Sequence, residues 1–130
     1  MVERKVVEEV RADFSFLKGK VLGVLLFGSV CRGVGGKRDI DVCIVAPGCD
    51  PRKLLMEVFR RVNVGKKDYD VHVFEALPLY IKAEIIKNHV FLFGDFVKLY
   101  EYLYLYRKIW NDQKRRQELT KDEFIKILSD

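Results

Sequence analysis

Residues 21–27, VLGVLLF, form an apolar run interrupted only by Gly23 and closed by Gly28. A strand hydrophobic on both faces has to be covered on both, so this run predicts a central strand over Val21–Phe27 with helices above and below it. The flanking sequence supplies those helices. Val6, Val10, Phe14 and Leu17 fall at three- and four-residue spacing, which predicts a helix over residues 3–18 that ends at Gly19. Asp50 as N-cap and Pro51 at the first helical position open another, with Leu54, Leu55, Val58, Phe59 and Val62 as its buried stripe. A third begins near Pro78, turns Leu79, Ile81, Ile85 and Ile86 inward and ends near Asn88.

Between these helices the period changes from 3.6 to 2. Over Asp39–Val45, Ile40, Val42 and Ile44 share one face, while Asp39 and Asp41 share the other. The stretch Tyr69–Phe74 repeats the phase, with Val71 and Val73 one way and Asp70 and His72 the other. His89–Phe93 is a further short strand. Asp95 then caps a helix carrying Leu99, Leu103, Tyr106 and Trp110, an apolar arc widened by Tyr102, Leu105 and Ile109. Thr120–Glu123 reads as a capping box that starts a separate short helix through Phe124, Ile127 and Leu128. The expected architecture is a single α/β (α+β) domain over residues 1–130, a small mixed sheet with flanking helices. Its core covers about residues 20–110, and helices over about 95–130 make a helical C-terminal third.

Composition narrows the function classes. With 130 residues the chain has the length of one domain, and 49% hydrophobic residues suffice for a core of its own. Cys31, Cys43 and Cys49 are odd in number and contain no C-x-x-C pair, which argues against a disulfide framework or a zinc knuckle and for reduced thiols in a cytoplasmic protein. No apolar run reaches the roughly 18 residues of a membrane span, and the charged first ten residues do not resemble a signal peptide. Twenty-four Lys and Arg against nineteen Asp and Glu leave a net charge of +5, which favours anionic partners without choosing among them.

The shared phase of the two strands matters for chemistry. Asp39 and Asp41 from one strand and Asp70 from the next in sequence converge on one sheet face, where three carboxylates repel one another unless cations intervene. Hard divalent ions with oxygen ligands, Mg2+ or Mn2+, are the natural counter-charge. Two such ions about 3.5–4 Å apart can activate a hydroxyl and steady a leaving pyrophosphate. Gly28-Ser29, at the end of the preceding strand, is the companion feature: Gly28 lets a phosphate approach the backbone, and Ser29 offers a hydroxyl. Amides at the start of a following short helix would complete an anion grip. The Walker pattern and the G-x-G-x-x-G fingerprint are both absent, which disfavours a P-loop enzyme or a Rossmann dehydrogenase.

Taken together, LFGSVCRGVGGKRDIDVCIV at residues 26–45 and YDVHVF at residues 69–74 resemble the signature of the polymerase-beta nucleotidyltransferase superfamily. At this size the chain is similar to the minimal nucleotidyltransferases (MNT) that accompany HEPN-domain proteins as antitoxin and toxin. The resemblance covers about residues 20–110 and implies a polymerase-beta-like nucleotidyltransferase fold. It also implies that Gly28 and Ser29 hold a nucleoside triphosphate, that Asp39 and Asp41 ligate the metals, and that Asp70 completes the site and helps deprotonate an acceptor hydroxyl. The activity so implied is transfer of AMP from ATP to a hydroxyl of a partner macromolecule, in some relatives a tyrosine of the toxin. Relatives often carry Ser before the first aspartate and a longer loop, whereas this chain has Arg38 and a loop one residue shorter, with Gly35 and Gly36 to absorb the difference.

Other residues admit two readings. Arg32 and Lys37 are candidate triphosphate contacts within a glycine-rich basic loop that is otherwise merely solvated. His72 borders the predicted site, and a histidine beside a carboxylate is commonly a structural hydrogen-bond partner. Asp68 shares the side parity of Asp70 but lies at the turn, so Asp70 is the better third carboxylate. Tyr100, Tyr102, Tyr104 and Tyr106 are spaced around a helix, which favours core and interface packing over base stacking. A chain this small has no acceptor-binding domain, so specificity falls to a partner or a second subunit, with the arc Leu99–Trp110 as the contact. The rival reading is a non-catalytic, nucleotide-binding antitoxin or adaptor. Nucleic-acid binding through Arg60, Arg61, Lys66, Lys67 and Lys114–Arg116 ranks last, since these cations are scattered over different elements.

Overall fold

A computed structural model describes residues 4–28 and 39–129, without the side chains of residues 118–125, 127 and 129. Among the described residues one four-stranded sheet is formed by β1 (Gly23–Phe27), β2 (Ile40–Val45), β3 (Tyr69–Val73) and β4 (His89–Gly94) in the order β3-β2-β1-β4. β1 pairs antiparallel with both β2 and β4, while β2 and β3 run parallel. The sheet is therefore mixed, and the doubly apolar run lies inside it as its composition requires.

Helices cover both faces. On one side α1 (Arg4–Asp13) and α2 (Pro51–Arg61) bury Val10, Leu54 and Val58, together with Phe14 just after α1, against Val24, Leu26, Val42 and Ile44. On the other, α3 (Leu79–Lys87) and α4 (Phe96–Ser129) bury Ile85, Leu99 and Leu103 against Leu25, Cys43 and Val45. The parallel pair obliges the chain to cross over between β2 and β3, and α2 makes that crossing. It starts as expected: Pro51 occupies the first turn, and the Asp50 side chain accepts from the Arg52 amide at 3.0 Å. Asp95 likewise accepts from the Lys98 amide at 3.2 Å, at the start of α4. Glu75, in a short 3-10 turn after β3, ties the layers together by accepting from the Ala46 amide at 2.9 Å and from the Tyr102 hydroxyl at 2.8 Å.

Several expected boundaries move. The first helix ends at Asp13, and Ser15–Leu17 tighten into a 3-10 turn because the Ser15 hydroxyl donates back to the Ala12 carbonyl at 2.8 Å, competing with the helical ladder. Phe14 and Leu17 are still fully buried. Phe59 leaves the predicted stripe of α2 and is 56% exposed, since Leu54, Val58 and Val62 already fill that face at four-residue spacing. Helix α4 does not restart at Thr120: its backbone is helical without a break through Ser129. The arc on α4 divides, with Leu99 and Leu103 buried, Tyr102, Tyr106 and Trp110 half-buried, and Leu105 and Ile109 exposed. The aromatic rings sort as packing groups, since Tyr102 and Tyr106 lie against Phe74 and Tyr100 lies against His89 and Phe91.

Candidate active site

Asp41 is the second residue of β2, and strand pairing sets Phe27 of β1 on one side of it and Asp70 of β3 on the other. Directly opposed residues of neighbouring strands project to the same face, so the register Asp41↔Asp70 brings the two carboxylates together on the side covered by α3 and α4. One step further, Cys43 pairs with His72, whose imidazole therefore emerges beside both acids. His72 Nε2 stands 3.1 Å from Asp70 Oδ2 and 3.7 Å from Asp41 Oδ1. One ligand atom each from Asp41, Asp70 and His72 can be chosen so that all lie within 4.8 Å of one another.

The two acids differ in environment. The Asp41 side chain is 23% exposed and that of Asp70 is 51% exposed. Partial burial, followed by the negative charge of Asp70, raises the Asp41 carboxyl above the ordinary aspartate value, and the neighbouring His72 only partly offsets this. The Phe27 ring meets the imidazole edge to face at 5.4 Å between centroids, closing the apolar side of the group. Two carboxylates and one imidazole in reach of a common point can share one divalent cation, and the shortage of positive charge beside Asp41 is what such a cation relieves.

Gly28 completes the described part of the site. Its φ of +78° favours glycine, and a Cβ at this position would collide with the Asp41 carboxylate. The chain thus turns away from β1 directly over the acid and leaves its backbone bare there. Beside the turn lies a cavity of about 190 Å³ between Phe27 and Gly28 on one wall and Ile81, Glu84 and Ile85 of α3, with Asn88 at its end, on the other. A larger cleft of about 650 Å³ opens at the opposite end of β1, near Leu22 and Gly94, and shares no residue with the carboxylate group.

The structure therefore unites Asp41, Asp70 and Gly28. Asp39 sits one residue before β2, exposed, and is not drawn into the group with Asp41 and Asp70. Ser29, Arg32, Lys37 and the glycines of the basic loop lie outside the described residues. Asp68, the alternative third acid, is exposed in a left-handed turn at φ +58°, and its carbonyl accepts from the Ile40 amide at 2.7 Å to open the parallel ladder. His72 is the residue that sequence reasoning set aside. Its parity with Asp70 was the available signal, but only the register of β2 against β3 turns that parity into contact with two acids.

Comparison with known proteins gives this arrangement a setting. The model of the family "Nucleotidyltransferase domain" matches residues 4–127. A protein of Methanocaldococcus jannaschii, named as a candidate protein adenylyltransferase, is 49% identical over 98 residues, which is 75% of this chain and 75% of that protein. Among solved structures, a chain of a toxin-antitoxin with AMP-PNP superposes with a TM-score of 0.67 at 15% identity, covering 96% of this chain and 99% of its own. A chain from the tri-AMPylated Shewanella oneidensis HEPN toxin in complex with MNT antitoxin gives 0.66 at 12% identity, over 92% and 95% of the two chains. At such identities the superpositions speak for the fold.

Proposed function

The chain belongs to the nucleotidyltransferase domain family and is a nucleotidyltransferase, and from that premise we propose that it transfers AMP from ATP to a hydroxyl of a partner protein, as an antitoxin acting on a HEPN-type toxin. The observation that carries this reading is the meeting of Asp41, Asp70 and His72 beneath the bare backbone of Gly28. The 49% identity to a candidate protein adenylyltransferase supports AMP and a protein acceptor, and the toxin-antitoxin fold relatives support the class of partner.

In this reading Gly28 and Ser29 hold the triphosphate, with Arg32 and Lys37 neutralising its outer oxygens. Asp41, Asp70 and His72 hold a divalent cation, Mg2+ or Mn2+. Asp39, one residue ahead of β2 and exposed, would provide for a second ion. The bound metal supplies Lewis-acid stabilisation of phosphoryl oxygens. Asp70, the more exposed acid, accepts the proton of the acceptor hydroxyl. The hydroxyl oxygen then bonds to the α-phosphorus of ATP, the bond from that phosphorus to the bridging α–β oxygen breaks, and pyrophosphate departs. The exposed Tyr104, Leu105 and Ile109 of α4 offer the partner an apolar contact.

Incubation with ATP labelled at the α-phosphate, Mg2+ and the purified partner tests the proposal. Wild type is expected to label the partner, whereas Asp41→Asn and Ser29→Ala lose at least about a hundredfold in rate while still binding it. Full neutralisation of the partner by wild type without any label would replace the enzyme with an adaptor that acts by contact alone.

A further inference from the structure

A second depression lies away from the carboxylates, between α3 and α4. It encloses about 450 Å³, within the usual range for small-molecule sites, and Glu84, Lys87, Arg107, Trp110, Asn111 and Lys114 line it. Positions 107, 110, 111 and 114 are three or four apart along α4, so they form one stripe, and Lys87 faces them from α3. Three cations thus surround one carboxylate, and among the described residues Lys87, Arg107 and Lys114 make no ion pair. Trp110 is half-buried at the centre of the stripe, and Asn111 beside it offers both an amide donor and a carbonyl acceptor.

We propose that this groove binds a nucleotide unit, its phosphate among Lys87, Arg107 and Lys114 and its base against the face of Trp110. A nucleotide matches every group present. Lysine and arginine take phosphate oxygens, an indole face accepts any base by stacking, and Glu84 finds donors in a ribose hydroxyl or an exocyclic amine. An acidic peptide would satisfy the cations, yet it brings no planar ring to Trp110 and sets its own carboxylates against Glu84. The unit comes either as a free nucleotide or within a single strand. The groove shares only Glu84 with the cavity at Gly28, so the proposal stands apart from the transfer reaction.

Trp110 is the only tryptophan, so intrinsic fluorescence reads this groove directly. The whole chain is titrated in EDTA with AMP, with ATP, with a short single-stranded oligoadenylate and with polyglutamate of equal charge. Saturable quenching by AMP identifies a free nucleotide, and quenching by oligoadenylate alone identifies a strand; either supports the site. The double variant Lys87→Glu/Arg107→Glu should weaken that binding at least about tenfold with an unchanged melting curve, and Asp41→Asn should leave it intact. Absence of quenching by all three nucleotide probes at millimolar concentration overturns the proposal. So does polyglutamate binding as tightly as the oligonucleotide, which would make the groove a receptor for acidic protein segments.

Discussion

Asp41 carries its charge against its surroundings, and that makes it a residue whose removal should strengthen the fold. Its carboxyl is raised by burial and by Asp70, so the protonated form is the one the folded state favours. A raised value adds stability at low pH and loses it as pH rises through the folded value. In EDTA at neutral pH, Asp41→Asn is therefore expected to raise Tm by a few degrees, and calorimetry should show the gain shrinking as pH falls through the raised value and gone below the ordinary 3.8. Gly28→Ala should act in the opposite sense. A left-handed φ of +78° and the collision with Asp41 together cost about 1–3 kcal/mol, read from denaturant melts, and shift the carboxylate as well. That Asp41 and Asp70 share a face was legible from side-chain parity, and the family resemblance suggested that they meet. The contact of His72 with both acids was not, since parity cannot say which strand lies next to which.

Among the elements, α4 has its buried described side chains near its start. Its 34 residues reach about 50 Å, yet Leu99 and Leu103 are its fully buried positions among the described side chains. Leu103→Ala should destabilise the domain by about 2–4 kcal/mol in urea titrations, whereas Leu128→Ala, at a position 69% exposed, should change it by less than about 0.5 kcal/mol. The apolar spacing over Leu99–Trp110 announced the packed segment. The rest was misread because a Thr-x-x-Glu sequence is an N-terminal signal only where the chain enters a helix from outside, and here the preceding turns are already helical. The early end of α1 has a similar origin, as a local serine bond outweighs a periodicity that continues past it.

Across the whole molecule, the N-terminal helix is fastened to the far edge of the sheet by charge. Asp13 accepts from the Tyr69 hydroxyl at 2.5 Å and from Lys67 Nζ at 2.9 Å, joining α1 to β3. Burial by itself would raise the Asp13 carboxyl, but those two partners prevail and lower it. The sign is then the reverse of that at Asp41: the clamp is complete above the ordinary value of 3.8 and drains away as pH drops through the lowered one. Asp13→Asn should lower Tm at pH 7 by a few degrees and approach wild type in acid, as followed by circular dichroism. Layering and helix coverage could be anticipated from the doubly apolar β1, but the order β3-β2-β1-β4 could not, because strand order arises from long-range pairing that leaves no local trace. One outcome of that pairing reaches beyond architecture. Sliding β3 by a single residue along β2 would bury Asp70 and His72 among aliphatic side chains and push Val71 and Val73 to the other face. The penalty for such a one-residue slip and the assembly of the acidic pair thus have a common origin: the register that hides the valines is the one that sets Asp41 beside Asp70.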